Sequence, residues 1–193
     1  MKKLMILLIC ILSLTMISCK DNNNDEKINN ETKASNIVIV YFSATSHTEK
    51  VAQYISNYYN ATIIEIIPKV KYTSSDLNYN SPTSRVSKEH NDRSIRPEIS
   101  NSIDISSADY VFLGYPIWWG EAPNILYTFV ENNDFTGKTI IPFATSASSG
   151  IGSSATNLAK NITGNWLEGK RFSSNVSNGT VINWLEELNI KTA

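Results

Sequence analysis

The residue types that could do chemistry gather in three short stretches. Residues 43–48 read SATSHT, with four hydroxyls from Ser43, Thr45, Ser46 and Thr48 and the imidazole of His47. They follow the apolar run NIVIVYF and precede EKVAQYISNYY. Hydroxyls and consecutive N–H groups at the head of a helix suit one phosphate dianion. A magnesium-bound triphosphate is excluded, because the loop has no Lys or Arg and no GxxxxGK[ST] pattern. Ser46 and Glu49 also have the spacing of a capping box, so the same hydroxyls could serve only to start a helix.

The second stretch is GYPIWWGEAP, residues 114–123. Trp118 and Trp119 are adjacent in a loop, so they should point different ways and cannot both be core. Pro116 restricts the backbone, Ile117 adds an apolar side chain, and Gly120 relaxes the chain again. Together they offer N–H groups at the edge of an aromatic platform, a surface for a flat aromatic ligand. An aromatic patch for a protein partner or a membrane interface is the competing reading. The third stretch, TSASSGIGSS (residues 145–154), supplies Thr145, Ser146, Ala147, Ser148, Gly150 and Gly152 before a helix. Its glycines are not a dinucleotide fingerprint. The third glycine is missing, and the stretch follows the fourth strand, not the first. A backbone wrapping closely around a ligand fits it better.

Nothing else in the chain reads as a catalytic constellation. There are two histidines, and His90 has no recognisable partner in sequence. The two cysteines, Cys10 and Cys19, both fall in the first nineteen residues, so the folded part has no thiol nucleophile, disulfide or sulfur-bound metal. Lys2 and Lys3 followed by the apolar run Leu4 to Leu14 form a signal peptide, too short to span a bilayer. The tetrad Met16-Ile17-Ser18-Cys19 resembles the lipobox of bacterial lipoproteins, which implies that residues 1–18 are removed and that Cys19 is acylated. The Asn-rich, charged residues 20–35 read as a disordered tether, with a reach of roughly 20–25 Å. Without the leader the chain has 15 basic and 18 acidic residues, a net charge of about −3, and no basic excess of the kind nucleic-acid binding uses. The expected location is therefore extracytoplasmic, lipid-anchored to a bacterial membrane.

The elements that must position the three loops follow from residue 36 onward. At 41% hydrophobic and 18% charged, the chain is rich enough in apolar residues for one domain with a sizeable core. Residues 36–42, 61–68, 109–116, 138–146 and 165–172 read as strands. Residues 49–59, 124–131, 153–162 and 179–189 read as helices. Strands alternating with helices imply parallel pairing and right-handed crossovers, hence a three-layer αβα sandwich. In such sheets ligands bind beyond the carboxyl ends of the strands, where loops 43–48, 115–121 and 145–153 should meet. Residues 70–103 interrupt the rhythm with Ser, Asn, Asp, Pro and Tyr, and show little periodicity.

The hydroxyl loop, YPIWWGEAP and FATSASSGIGSS, in this order and spacing, resemble the flavodoxin-like FMN-binding proteins over nearly all of residues 36–188, within a domain read as 36–190. The segment YTSSDLNYNSPTSR…RPEI resembles an insertion after the second strand found in one branch of that family. The resemblance implies a five-stranded parallel sheet of order 2-1-3-4-5 with FMN held by three loops. Carried over by position, Ser43, Thr45, Ser46, His47 and Thr48 would surround the phosphate. Pro116, Ile117, Trp118, Trp119 and Gly120 would border the isoalloxazine, and Thr145, Ser146, Ala147, Ser148, Gly150 and Gly152 would contact ribityl or ring. The family pattern S-x-T-G-N-T has Gly-Asn where this chain has Ser46-His47. If that position needs positive φ, Ser46 brings strain.

FMN would make the chemistry redox, with the protein supplying position and electrostatics and no metal. The insertion is long enough to be a lid over the flavin, with Tyr72, Tyr79, Arg85 and Arg96 as candidate contacts. The expected partners are the membrane, through Cys19, and a small-molecule electron donor or acceptor or a redox partner. An oxidoreductase or electron carrier, with quinone-like acceptors, leads. A lipid-anchored, non-redox binding module that has lost or weakened flavin binding is the alternative.

Overall fold

The computed structural model describes residues 35–191; the leader, Cys19 and nearly all of the tether lie outside them. β1 (Ile37–Tyr41) is buried along its whole length, as an uninterrupted β-branched run in a central parallel strand should be. α1 (His47–Tyr59), β2 (Thr62–Glu65), α2 (Arg85–Asn91), β3 (Tyr110–Pro116), α3 (Asn124–Glu131), β4 (Thr139–Thr145), α4 (Ser154–Ala159), β5 (Asn165–Trp166), β6 (Lys170–Phe172) and α5 (Asn178–Glu187) follow in order. All strand pairs are parallel and the order is β2-β1-β3-β4-β5, with β6 also beside β4.

Strand alternation sorts the core into two layers. Ile37, Ile39 and Tyr41 of β1 point to the side of α1 and α5, against Val51, Ile55, Val181 and Leu185. Val38, Val40 and Phe42 point the other way, toward Ile125, Leu126 and Phe129 of α3 and Leu158 of α4. A period of two on the strands and of 3.6 on the helices makes this arrangement. Each such Ile, Leu or Phe removed from water contributes about 1.5–3 kcal/mol.

The expected fifth strand is two short pieces. β5 pairs Thr139 and Ile140, β6 pairs Phe143 to Thr145, and the ladder is broken beside Pro142. Proline has no N–H to donate to the ladder, and Gly169 passes it closely, where a Cβ would meet Pro142 Cβ at 3.0 Å. The interval after β2 holds an element the sequence pattern does not announce. α2 has seven residues, RVSKEHN, too few and too polar to show a periodic stripe. Ser84 starts it by accepting a hydrogen bond from the Ser87 N–H.

The insertion is tied at its neck and belongs to the same compact unit as the sheet. Pro68 and Ile99 form an antiparallel bridge; the Lys69 N–H donates to Glu98 O at 2.8 Å and the Ser100 N–H to Ile67 O at 2.8 Å. The Asn101 amide completes the tie, accepting from the Ile67 N–H and donating to Glu65 O.

β3 and β4 approach closely where Gly114 faces Phe143. A Cβ at Gly114 would sit 2.2 to 2.8 Å from three ring carbons of Phe143. Gly114→Ala is therefore expected to lower unfolding stability by about 1–3 kcal/mol in urea titration, with an unchanged denaturant slope.

Candidate functional site

The carboxyl ends of β1, β3 and β4 release the three loops at one edge of the sheet. The first loop differs from the capping-box expectation. Ser46 is the N-cap of α1, but it lies in the left-handed region at φ 60° and ψ 3°, and its side chain makes no capping hydrogen bond. A capping hydroxyl reaches the N–H groups of the first turn from extended backbone, and at φ 60° it is turned away from them. As a result, no backbone N–H from Ala44 to Glu49 donates to an acceptor among the described residues. These donors stand at the positive end of a 13-residue helix. Ser46 and His47 are exposed, and Ser43 is half-buried. Thr48 is buried, and its hydroxyl pairs with that of Thr145 at 2.8 Å, which ties the first loop to the end of β4.

In the second loop Trp118 and Glu121 exchange backbone hydrogen bonds around Trp119 (φ 50°) and Gly120 (φ 80°). Two positive φ values in a two-residue connection are those of a type I′ turn, which accepts glycine readily and tryptophan only at a cost. The two indoles diverge as expected. Trp118 packs edge-on against Phe42 and Tyr72, with ring centroids at 5.8 and 5.5 Å. Trp119 is 42% exposed and stacks on the imidazole of His90 at 4.7 Å, with the planes 14° apart. His90, which sequence left without a partner, thus braces the turn from α2.

The third loop is held at both ends. At one end, Tyr115 Oη and Ser154 Oγ are 3.1 Å apart, and Ser154 Oγ donates to Ile151 O. At the other end stands Arg171, which sequence reasoning missed. Its guanidinium binds Ser146 Oγ and the carbonyls of Ser146 and Ala147. No local motif marks it, because the contact joins residues 24 and 25 positions apart. Gly152 adopts φ 53°, and a Cβ there would meet Gly120 O at 3.9 Å, so the second and third loops lie against each other.

Between the loops lies a cavity of about 480 Å³. Of the residues named from sequence, Thr45, Pro116, Ile117, Trp118, Trp119, Ser146, Ala147 and Ser148 line it, with Ala44 and Ser149 beside them. The insertion adds Leu77, Tyr79 and Val86 as one wall, with Tyr79 70% exposed at its mouth. No charged side chain lines the cavity.

The remaining insertion candidates lie elsewhere. Arg96 forks onto Glu131 of α3 at 2.7 and 2.8 Å. Tyr72 and Arg85 form a brace beneath Trp118. The Tyr72 hydroxyl donates to Glu89, Arg85 Nε donates to the same carboxylate at 2.8 Å, and the guanidinium lies 3.8 Å over the Tyr72 ring. Burial and the adjoining Glu89 carboxylate hold the Tyr72 hydroxyl far above its ordinary pKa, so it stays a proton donor in this contact.

A family model for flavodoxin matches residues 36–188. The chain belongs to the flavodoxin family. Among solved structures, this chain is 41% identical to a protein of Bacteroides eggerthii assigned as a flavoprotein, over 81% of this chain and 99% of the other, with a TM-score of 0.76. A similarly assigned protein of Bacteroides uniformis is 39% identical over 80% of this chain and 99% of its own, with a TM-score of 0.74. A flavoprotein of Lactobacillus acidophilus, solved in complex with FMN, shares the fold at 20% identity and a TM-score of 0.61, over 79% and 99% of the two chains. No curated protein matches this chain significantly.

Two substitutions test the loop geometry by thermal or urea unfolding. Ser46→Gly removes the left-handed penalty at φ 60° and is expected to raise stability by up to about 1 kcal/mol. Thr48→Val keeps shape but orphans the buried Thr145 hydroxyl, and is expected to cost about 1–3 kcal/mol.

Proposed function

We propose that this protein binds one FMN across the three loops and works as an electron-transfer oxidoreductase, anchored by a lipidated Cys19 outside the cytoplasmic membrane. The observation that carries the reading is the head of α1. A helix start left without its side-chain cap, with the N–H groups of Ala44 to Glu49 lacking protein partners, borders a neutral aromatic cavity. Those donors and the helix dipole fit a single phosphate dianion. The cavity volume and its Trp118, Trp119 and Pro116 walls fit a flat ring system. The FMN complex of the Lactobacillus acidophilus relative supports the same assignment.

When bound, FMN supplies a ring that takes up and releases electrons. The chain's own residues hold and shield it. Ser43, Thr45 and the first-turn N–H groups would hold the phosphate, and the Thr48–Thr145 pair keeps that loop in register with β4. Trp118 and Trp119, braced by Tyr72 and His90, would border the ring. Leu77, Tyr79 and Val86 would exclude water from one side. The acceptor we infer is quinone-like, since quinones are the flat, neutral electron acceptors that a membrane offers. Electrons would arrive from a membrane quinol or another exported carrier, since free nicotinamide dinucleotides are cytoplasmic.

A second reading, a lipid-anchored binding module without flavin, is favoured by one feature, the serine at φ 60° in the phosphate loop. Colour separates the two. The full-length chain, purified with excess FMN and desalted, is expected to show flavin absorption near one FMN per chain. A colourless protein that leaves FMN fluorescence unchanged on titration would sink the FMN reading and favour the second. For the anchor, Cys19→Ala is expected to move the protein from the membrane fraction to the soluble extracytoplasmic fraction. Continued membrane association of that variant would overturn the lipid anchor.

A further inference from the structure

Arg171 is placed to act on the charge of whatever occupies the cavity, and the inference rests on the FMN reading above. The half-buried guanidinium lies in β6, beside the end of β4. Its Nε donates to Ser146 Oγ at 2.9 Å, and its Nη2 donates to the carbonyls of Ser146 at 3.1 Å and Ala147 at 2.9 Å. Ser146 Oγ in turn donates to Ser149 O, so the loop is fixed internally as well. In a trans peptide the N–H points opposite to the C=O. Two consecutive carbonyls turned toward Arg171 therefore direct the N–H groups of Ala147 and Ser148 away from it. Neither N–H donates to an acceptor among the described residues, and Ser146, Ala147 and Ser148 all line the cavity.

The charge hydrogen-bonded to this wall is positive. The lining has no carboxylate and no cation of its own. Among the described residues Arg171 is the one charged side chain hydrogen-bonded to a lining residue, and it has no ion-pair partner. A positive charge one peptide behind the wall, with two peptide dipoles aligned by it, makes a preorganised site for negative charge.

We propose that Arg171 is a positioning residue that raises the site's affinity for reduced relative to oxidised FMN. Two electrons and one proton convert FMN to its anionic reduced form, which carries one more negative charge on the ring than the oxidised form. The guanidinium and the N–H groups it orients stabilise that added charge, and no nearby carboxylate on the cavity wall opposes them.

The test uses the full-length chain as wild type, Arg171→Gln, Arg171→Met and the charge-retaining Arg171→Lys. Affinity for oxidised FMN is read by fluorescence quenching. The midpoint potential of bound FMN is read by dithionite titration against a reference dye, and thermal unfolding checks the fold. In the neutral variants, reduced FMN is expected to bind at least tenfold more weakly relative to oxidised FMN. Each factor of ten is a fall of about 30 mV in the midpoint of a two-electron couple. Arg171→Lys is expected to keep most of the preference while losing affinity for both forms, because the charge remains and the fork does not.

An unchanged potential in a folded neutral variant overturns the proposal. So does an equal loss of both forms, or failure of both neutral variants to fold, each of which assigns Arg171 a purely structural role. A wild-type chain that takes up no FMN overturns the flavin reading itself, and this inference with it. That result cannot be confused with a wild type that binds FMN beside variants of unaltered potential.

Discussion

Parallel pairing of β1, β3 and β4 forces the loops that leave them to emerge at the same edge, and the site depends on that constraint. Residues separated by about 100 positions become neighbours there, as the Thr48–Thr145 hydrogen bond shows. The strands are buried on both faces, so no register slip could move the loops without stranding apolar side chains on the wrong layer. The helices enforce the same register by covering the two faces separately.

Upon that frame the loops carry two local departures from ordinary backbone preference, one at Trp119, which lines the cavity, and one at Ser46, next to the lining residue Thr45. Ser46 at φ 60° turns its hydroxyl from the helix it should cap and leaves the first-turn N–H groups available. Trp119 at φ 50° occupies a turn position suited to glycine or asparagine, and there its ring stacks on His90. Each costs on the order of 1 kcal/mol, and each persists because surrounding contacts fix it. Strain at these two points, in a fold otherwise built of favourable local choices, is what a ligand site in the loops would produce.

The insertion is structural support and cavity wall at once. Its buried Glu89, 4% exposed, collects the Tyr72 hydroxyl and the Arg85 guanidinium beneath Trp118. A carboxylate buried without both partners would be costly, so the three residues hold α2 in one position. That position presents Val86 to the cavity and His90 to Trp119.

Sequence alone was sufficient for the αβα order, the alternation of strands with helices and the three loop stretches, because those features are written in local periods and short motifs. It was also enough to flag Ser46, since the need for positive φ at that position follows from the glycine it replaces. It missed α2, whose seven largely polar residues are held by tertiary contacts through Val86 and Glu89 and not by an apolar stripe. It could not split the last strand at Pro142, because the missing donor matters only once β5 and β6 are known to lie beside it. In sequence, His90 had no recognisable partner and Arg96 was a candidate lid contact. Only the fold sends one to Trp119 and the other to Glu131. Arg171 was invisible for the same reason. A guanidinium acquires its meaning from the two carbonyls turned toward it, and their direction is decided by packing between β4 and β6, not by any residue near it in the chain.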